Sequence, residues 1–590
     1  MLNKAAIPHV HKLETTEGDF DKNTDPTDTS LVVFTNSTTL LFAGERNRVV
    51  ISQDNGVHWE TAFEFECPKV KDPSNFLNKY IQLDDIYTDK RAFFFPQHET
   101  HNLRACCTND TGRSWTSFDL YSAVREHFPF FFDVGSSSYV RLTRIRSSPL
   151  NENHLLASVS FNNNEECDTF SIDFLSLNFG KRWVPLLPAE NIPFAKHIYS
   201  TKCFFGLVTG DLFCLLLKEE PLENEKQTEK DLIDDQTCTE SGKLYHSKDM
   251  GNTWCLHSDL KDESVLVIDI TEKYVIAYVA ESDIDVWTCT RIYISTDCGK
   301  TFQKPKFGDV HNNASPDQIP YVNDAEPTND VILLSTTAGN TWISDSTGLQ
   351  FFLPTECGTQ RDKTYSVQTL YNQPNTLLLT TKLTQTKTVS QGNCMHTFTI
   401  DKTRISFDNG KSWSAINLNL TNTSMKSHWK EKLADLTSYE FQTAGASDLS
   451  LAKNKPLEIF TLSGYLIGET KQMDKPVFLE CTIVTRNGGK SFDLSLEVPL
   501  YVSIGNYGNI LLGYSSERKS NKQEAKNKLY FSLDQGHSWD CFLLEENDEV
   551  VDVLPLKENG AGFQFLVCTY TTFSSEKACY KRYYVVDFCL

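Results

Sequence analysis

The chain has 590 residues, 12% of them aromatic, and a formal net charge of −22. So acidic a balance excludes a nucleic-acid binder, whose partner's phosphates need a basic face. Its apolar runs are too short for a membrane-spanning helix, the best, Cys203 to Leu217, being interrupted by Asp211.

Met1 to Glu14 holds Lys4 but no apolar core, since only Ala5, Ala6 and Ile7 precede Pro8 and His9, and it does not read as a signal peptide. From Ser52 onward one turn recurs in the form Ser/Thr-x-Asp/Asn-x-Gly-x-x-Trp/Phe. The copies are SQDNGVHW (Ser52 to Trp59), TNDTGRSW (Thr108 to Trp115), SLNFGKRW (Ser176 to Trp183) and SKDMGNTW (Ser247 to Trp254). They continue as STDCGKTF (Ser295 to Phe302), SFDNGKSW (Ser406 to Trp413), TRNGGKSF (Thr485 to Phe492) and SLDQGHSW (Ser532 to Trp539). A ninth, SDSTGLQF (Ser344 to Phe351), keeps the Gly and the aromatic but has Ser346 where the carboxylate belongs.

This is the chemistry of a hairpin. Gly supplies the positive φ of a tight turn at positions such as Gly56 and Gly410. The acidic or amide side chain accepts nearby backbone N–H groups and closes the turn, while the aromatic opens the outgoing strand and packs between sheets. Asp54, Asp110, Asn178, Asp249, Asp297, Asp408, Asn487 and Asp534 are therefore read as structural rather than catalytic. β-rich runs precede most copies, such as RIYI before Ser295 and KLYF before Ser532. A spacing of about 60 residues matches one four-stranded blade and divides the chain into about ten units. The expected fold class is all-β, a ten-bladed β-propeller forming a single domain over 1–590. Nine boxes in ten units mean either that one blade lacks a box or that strands from both termini close the ring.

Between the boxes, Ser427 to Leu436 is the best helical candidate and reads as a loop insertion, while the acidic Glu219 to Asp235 and the basic Glu517 to Lys528 read as solvated loops. The 17 cysteines include no C-x-x-C pair, so no metal or other cofactor is expected. Cys203 with Cys214 and Cys568 with Cys579 flank predicted hairpins and are disulfide candidates, although spacing alone does not establish pairing. Asn36, Asn109, Asn313, Asn419 and Asn422 begin N-x-S/T sequons, the third weakened by Pro316. Cysteines and sequons together favour a luminal compartment.

The boxes, their spacing and the closing segment resemble the luminal propeller of the sortilin family, its fungal vacuolar-sorting branch in particular. The resemblance covers essentially the whole chain and is most specific at ISTDCGKTF (Ile294 to Phe302), WISDSTGLQFFL (Trp342 to Leu353), ISFDNGKSW (Ile405 to Trp413) and YYVVDF (Tyr583 to Phe588). It implies a cargo receptor without enzymatic activity, working in the Golgi and endosome lumen on vacuolar hydrolase precursors or other peptide and protein cargo. In the family, cysteine-rich modules, a membrane helix and a tail follow the propeller. The expectation is therefore a fragment, a mis-started product or a divergent paralogue, attached to membranes only through parts absent here.

In the family, ligand peptides bind inside the tunnel, in part by β-augmentation, and an Arg clamps the ligand's terminal carboxylate. That position falls here at Thr290, and strand alternation sends the adjacent Arg291 to the opposite face. Tyr278, Tyr321 and Val322 fall where other tunnel contacts sit, with an ordinary buried strand tyrosine as the alternative. Met425 to Gln442 also lacks the cysteine-bearing loop of the family. The rival reading is an Asp-box glycoside hydrolase, sialidase-like or xyloglucanase-like. A sialidase needs an arginine triad, and the Phe/Tyr-Arg-Ile-Pro signature of its first member is absent, but a pair of carboxylates would suffice for other glycosidases.

Overall fold

The computed structural model describes residues 8–12, 31–34, 37–44, 48–55, 58–65, 80–96, 101–132, 139–163, 168–188, 199–220, 239–280, 290–308, 321–328, 331–337, 339–354, 364–370, 375–383, 389–391, 394–396, 400–420, 431, 433–434, 436–443, 458–470, 477–515, 525–556, 562–572 and 579–588. β-branched and aromatic runs between turn signals pair into short antiparallel sheets. Ten of these sheets are blades, at 31–64, 80–119, 139–185, 199–256, 264–303, 322–352, 364–415, 436–496, 500–543 and 548–587. In each of the first nine the box joins the third strand to the fourth, as between Arg48–Ser52 and Glu60–Glu64 in blade 1.

Blade 10 differs. Its third strand, Cys579–Asp587, pairs with His9–Lys12 from the other end of the chain, in the register His9 to Asp587 and Lys12 to Tyr584. No turn can join strands from opposite ends, so this blade has no box. Both sequence options thus hold at once. Lys12 Nζ also reaches Glu545 Oε1 at 2.7 Å, and Arg582 Nη1 holds Glu545 Oε2 at 2.7 Å.

The core is divided, not central. Ten hydrophobic clusters among the described residues each lie between two consecutive blades. The last joins Leu566, Tyr583 and Val585 of blade 10 to Leu40 of blade 1 and so closes the ring. Each sheet thereby buries both faces against its neighbours. Linkers cover two outer edges: Lys306–Phe307 runs parallel to Gln350–Phe352, and Leu418–Asn419 parallel to Phe492–Leu496.

Several local expectations need correction. Of the helical candidate, Glu431, Leu433 and Ala434 are helical, but Leu436 already opens the strand Leu436–Thr443. The helix Tyr121–His127 has no side-chain cap at Leu120; instead Asp119, one residue earlier, accepts the Tyr121 N–H at 2.8 Å. Glu219 and Glu220 end the strand Leu212–Glu220, opposite Glu240 and Thr239, and Lys528 begins the strand Lys528–Ser532, so neither charged run is loop throughout.

The disulfide candidates also change. Cys203 and Cys214 are direct cross-strand partners, yet both are buried free thiols, and Cys203 is pushed up by burial and by its contact with Cys214. Cys568 stands opposite Tyr583 and Cys579 opposite Thr572. That offset of four residues, about 13 Å along a strand, is too long for a disulfide.

Candidate functional site

The box side chains form closed circuits. In blade 7, Ser406 Oγ donates to Asp408 Oδ1 at 2.8 Å and accepts the Gly410 N–H at 2.8 Å. Asp408 Oδ1 accepts the Ser412 N–H at 2.8 Å, and Oδ2 accepts the Ser412 hydroxyl at 2.6 Å. Burial pushes the Asp408 carboxyl up, but hydrogen bonds from Ser412 and Ser406 outweigh it and hold the group below its ordinary value. Asp54, Asp110, Asp249, Asp297 and Asp534 are lowered likewise. Asn178 and Asn487 use their amide oxygen in the same way, and Asn487 Nδ2 donates to Ser491 Oγ at 2.8 Å, reversing the polarity.

Two features of the turn were not legible. The residue before Gly is itself left-handed, as at Asn409 (φ 58°) ahead of Gly410 (φ 83°). The Gly also lies against the preceding blade: a Cβ on Gly410 would stand 2.5 Å from Ile343 Cδ1, and one on Gly180 2.4 Å from Phe118 Cδ1. The aromatic follows the same rule, Trp115 stacking on Phe63 of blade 1 with ring centres 5.5 Å apart. In the ninth turn the carboxylate shifts by one residue. Asp345 accepts the Thr347 hydroxyl at 2.6 Å, and the Gly348 N–H bonds the Asp345 carbonyl at 3.0 Å. Gly56 lies outside the described residues.

Side chains on the first strands tie neighbouring blades together, as where Gln82 Nε2 of blade 2 donates to the Ile145 carbonyl of blade 3 at 3.1 Å. These strands line the central channel, and they vary. Blades 3, 5, 6, 8 and 10 carry a β-bulge in this strand. Tyrosines of the preceding blade serve three of these strands. Tyr80 donates to the Thr143 carbonyl, Tyr514 to the Val551 carbonyl at 2.6 Å, and Tyr278 accepts the Ala325 N–H at 2.9 Å.

Tyr278, Thr290 and Val322 therefore meet at the seam between blades 5 and 6. Thr290 is buried, and its hydroxyl donates to the Val322 carbonyl. Burial pushes the Tyr278 hydroxyl up. Arg291, opposite Val279, stands on the other face of the strand, and Tyr321 is half-buried with its carbonyl accepting the Thr337 N–H at 3.1 Å. A pocket of about 430 Å³ opens between the first strands of blades 1 and 2, lined by Leu31–Val33 and Tyr80–Leu83. Asp269 and Asp324 lie on the first strands of blades 5 and 6, and the Asp269 carboxyl is raised by partial burial and then by Asp324. No metal-binding cluster occurs among the described residues, and no described helix is long and apolar enough to cross a membrane.

Asn109 and Asn419 are exposed, but their side chains are engaged. Asn109 Oδ1 accepts Arg91 Nε at 3.0 Å, and Asn419 Nδ2 donates to Asp493 at 3.0 Å. Asn36, Asn313 and Asn422 lie outside the described residues.

The Sortilin-Vps10 family model, described as sortilin, neurotensin receptor 3, matches residues 47–554. Vacuolar protein sorting/targeting protein 10 of Zygosaccharomyces rouxii is 22% identical over 96% of this chain, and vacuolar protein sorting/targeting protein PEP1 of Saccharomyces cerevisiae is 22% identical over 92%. The chain spans 35% and 34% of those relatives' own lengths. Among solved structures, a GH74 xyloglucanase from Xanthomonas campestris aligns over 97% of this chain and 86% of its own, at 10% identity and a TM-score of 0.22, too loose a superposition to bear on function. With ten blades, nine box turns and a family match from blade 1 into blade 10, the chain belongs to the Sortilin-Vps10 family.

Proposed function

We propose that this propeller is the ligand-binding part of a sorting receptor in the Golgi and endosome lumen, holding extended segments of vacuolar hydrolase precursors in its channel and catalysing nothing. The observation that carries the reading is the family match over 47–554, together with relatives named for vacuolar protein sorting and targeting. The physics is consistent with it. Ten blades cannot converge on an axis, so the first strands surround an open channel with main-chain edges for a ligand to pair with. Of the residues assigned to ligand contact by resemblance, Tyr278 and Thr290 commit their hydroxyls to the blade 5–6 seam, and Val322 is buried there with its carbonyl taken by Thr290.

The box carboxylates offer no hydrolytic pair, since their oxygens are held within the turns. Titration with a synthetic vacuolar-hydrolase propeptide is expected to give saturable, micromolar binding, and no binding defeats the reading. Turnover of an aryl glycoside that one carboxylate substitution abolishes would defeat its non-catalytic half.

A further inference from the structure

We propose that the first strand of blade 3 is a carboxylate-binding wall of the channel, with Arg141 taking the acidic group of a bound peptide. The inference rests on the peptide-receptor reading and adds to it what the channel recognises.

The strand Tyr139–Ser147 contains Arg141, Arg144 and Arg146. In a regular strand Arg141 and Arg144 would face opposite ways. The bulge at Thr143 restores them to one face, with Arg141 opposite Ser160, Arg144 opposite Ser158 and Arg146 opposite Leu156. Blade 4 does not cover that whole face. Its first strand is seated on the third strand of blade 3, where Ser200 Oγ accepts the Ser171 N–H at 3.1 Å and Thr201 Oγ1 accepts the Asp173 N–H at 2.9 Å.

The three arginines are neutralised unequally. Arg146 Nη2 is bound by the buried Asp173 at 2.9 Å. Arg144 meets Asp85 at 2.7 Å, with both side chains more than half exposed. Arg141 has no carboxylate partner among the described residues, and its Nε, like that of Arg146, is buried without a hydrogen-bond acceptor. A half-buried guanidinium with no anionic partner is a ready site for an incoming carboxylate, which its fork can hold with two parallel bonds.

The main chain at this point is already taken. His101–Asn102 pairs in parallel with Val140 and Arg141 at the inner edge of the sheet. What Arg141 offers a ligand is therefore side-chain charge, not strand addition. In a chain of net charge −22, three arginines on one strand lower the repulsion an anionic segment meets there.

The test is fluorescence anisotropy with a labelled extended peptide carrying a Glu-Asp pair and a free C-terminus, set against its C-amidated and its Gln-Asn counterparts. Arg141→Gln is expected to weaken the acidic peptide about tenfold or more and to erase the difference between it and the counterpart that lacks the critical carboxylate. Loss on amidation assigns Arg141 to the terminal carboxylate, and loss in the Gln-Asn peptide assigns it to acidic side chains. Arg104→Gln, in the third strand of blade 2 and paired with Asp119, is expected to leave the discrimination intact. Should Arg141→Gln fail to fold, Arg141→Lys, which keeps the charge but loses the fork, is expected to weaken the same peptide, and unchanged affinity overturns the inference. A wild-type chain that binds none of the peptides overturns the receptor reading and this inference together. Equal binding by wild type and Arg141→Gln overturns this inference alone.

Discussion

The rim that carries the boxes and the wall that faces the channel are built from the same sheets under different rules. At the rim, the Ser/Thr and Asp/Asn side chains of the repeat are engaged within a few residues, and the described box glycines lean on the blade before them. On the wall, one strand carries three arginines, two others carry aspartates that repel each other, and bulges come and go from blade to blade. Repetition there would serve nothing, because a ligand lying across the channel meets each blade once. The difference teaches where to look in a repeat protein: identity among copies marks what holds the ring, and departure among them marks what the ring is for.

The comparison breaks most easily at the rim. Gly410→Val places a β-branched side chain at φ 83° and drives it into Ile343, so strain and overpacking together should cost about 4 kcal/mol in a thermal or denaturant melt. A variant as stable as the parent would mean the turn is not the blade-to-blade contact described above. A smaller effect is expected on the wall. Tyr278→Phe removes an acceptor from the Ala325 N–H, which keeps Asp324 Oδ1 at 2.9 Å, and should cost about 1 kcal/mol with peptide affinity unchanged. An affinity loss at constant stability would instead make Tyr278 a ligand contact.

The smallest change is Asp408→Asn, since Asn178 and Asn487 already close the same turn; the cost at neutral pH should stay under about 1 kcal/mol. Its signature is in pH. A carboxyl held below its ordinary value in the fold contributes stability above the usual carboxylate range and loses it as pH falls through the folded value. Acid melts of Asp408→Asn should therefore decline less steeply than those of the parent, and parallel curves would show the carboxylate to be irrelevant.

Much of the rim was legible because hairpin chemistry is local. Ser406, Asp408, Gly410 and Trp413 act within eight residues, and the regular spacing of the copies along the chain gives the blade count. The takeover by Asp345 escaped because a turn can shift its acceptor by one position without altering the pattern around it. The wall was less legible for a different reason. Register and bulges depend on the partner strand, so YVRLTRIRS does not reveal from sequence that Arg141 and Arg144 share a face. The same dependence defeated the second disulfide candidate, where equal spacing of the two cysteine pairs hid a four-residue offset.

The pairing of His9–Lys12 with Cys579–Asp587 sets the order of assembly. On a ribosome His9–Lys12 is made well before Cys579–Asp587 and waits for it, so nine blades can form in sequence while the tenth stays one strand short. A contact spanning nearly the whole chain closes late, because its loop entropy is recovered only after the intervening blades have stacked. Until then the edge of Cys579–Asp587 is open to any strand that passes, and a nascent chain held near others of its kind would be most liable to exchange strands there. Loss of residues 9–12 would leave a ring unable to lock.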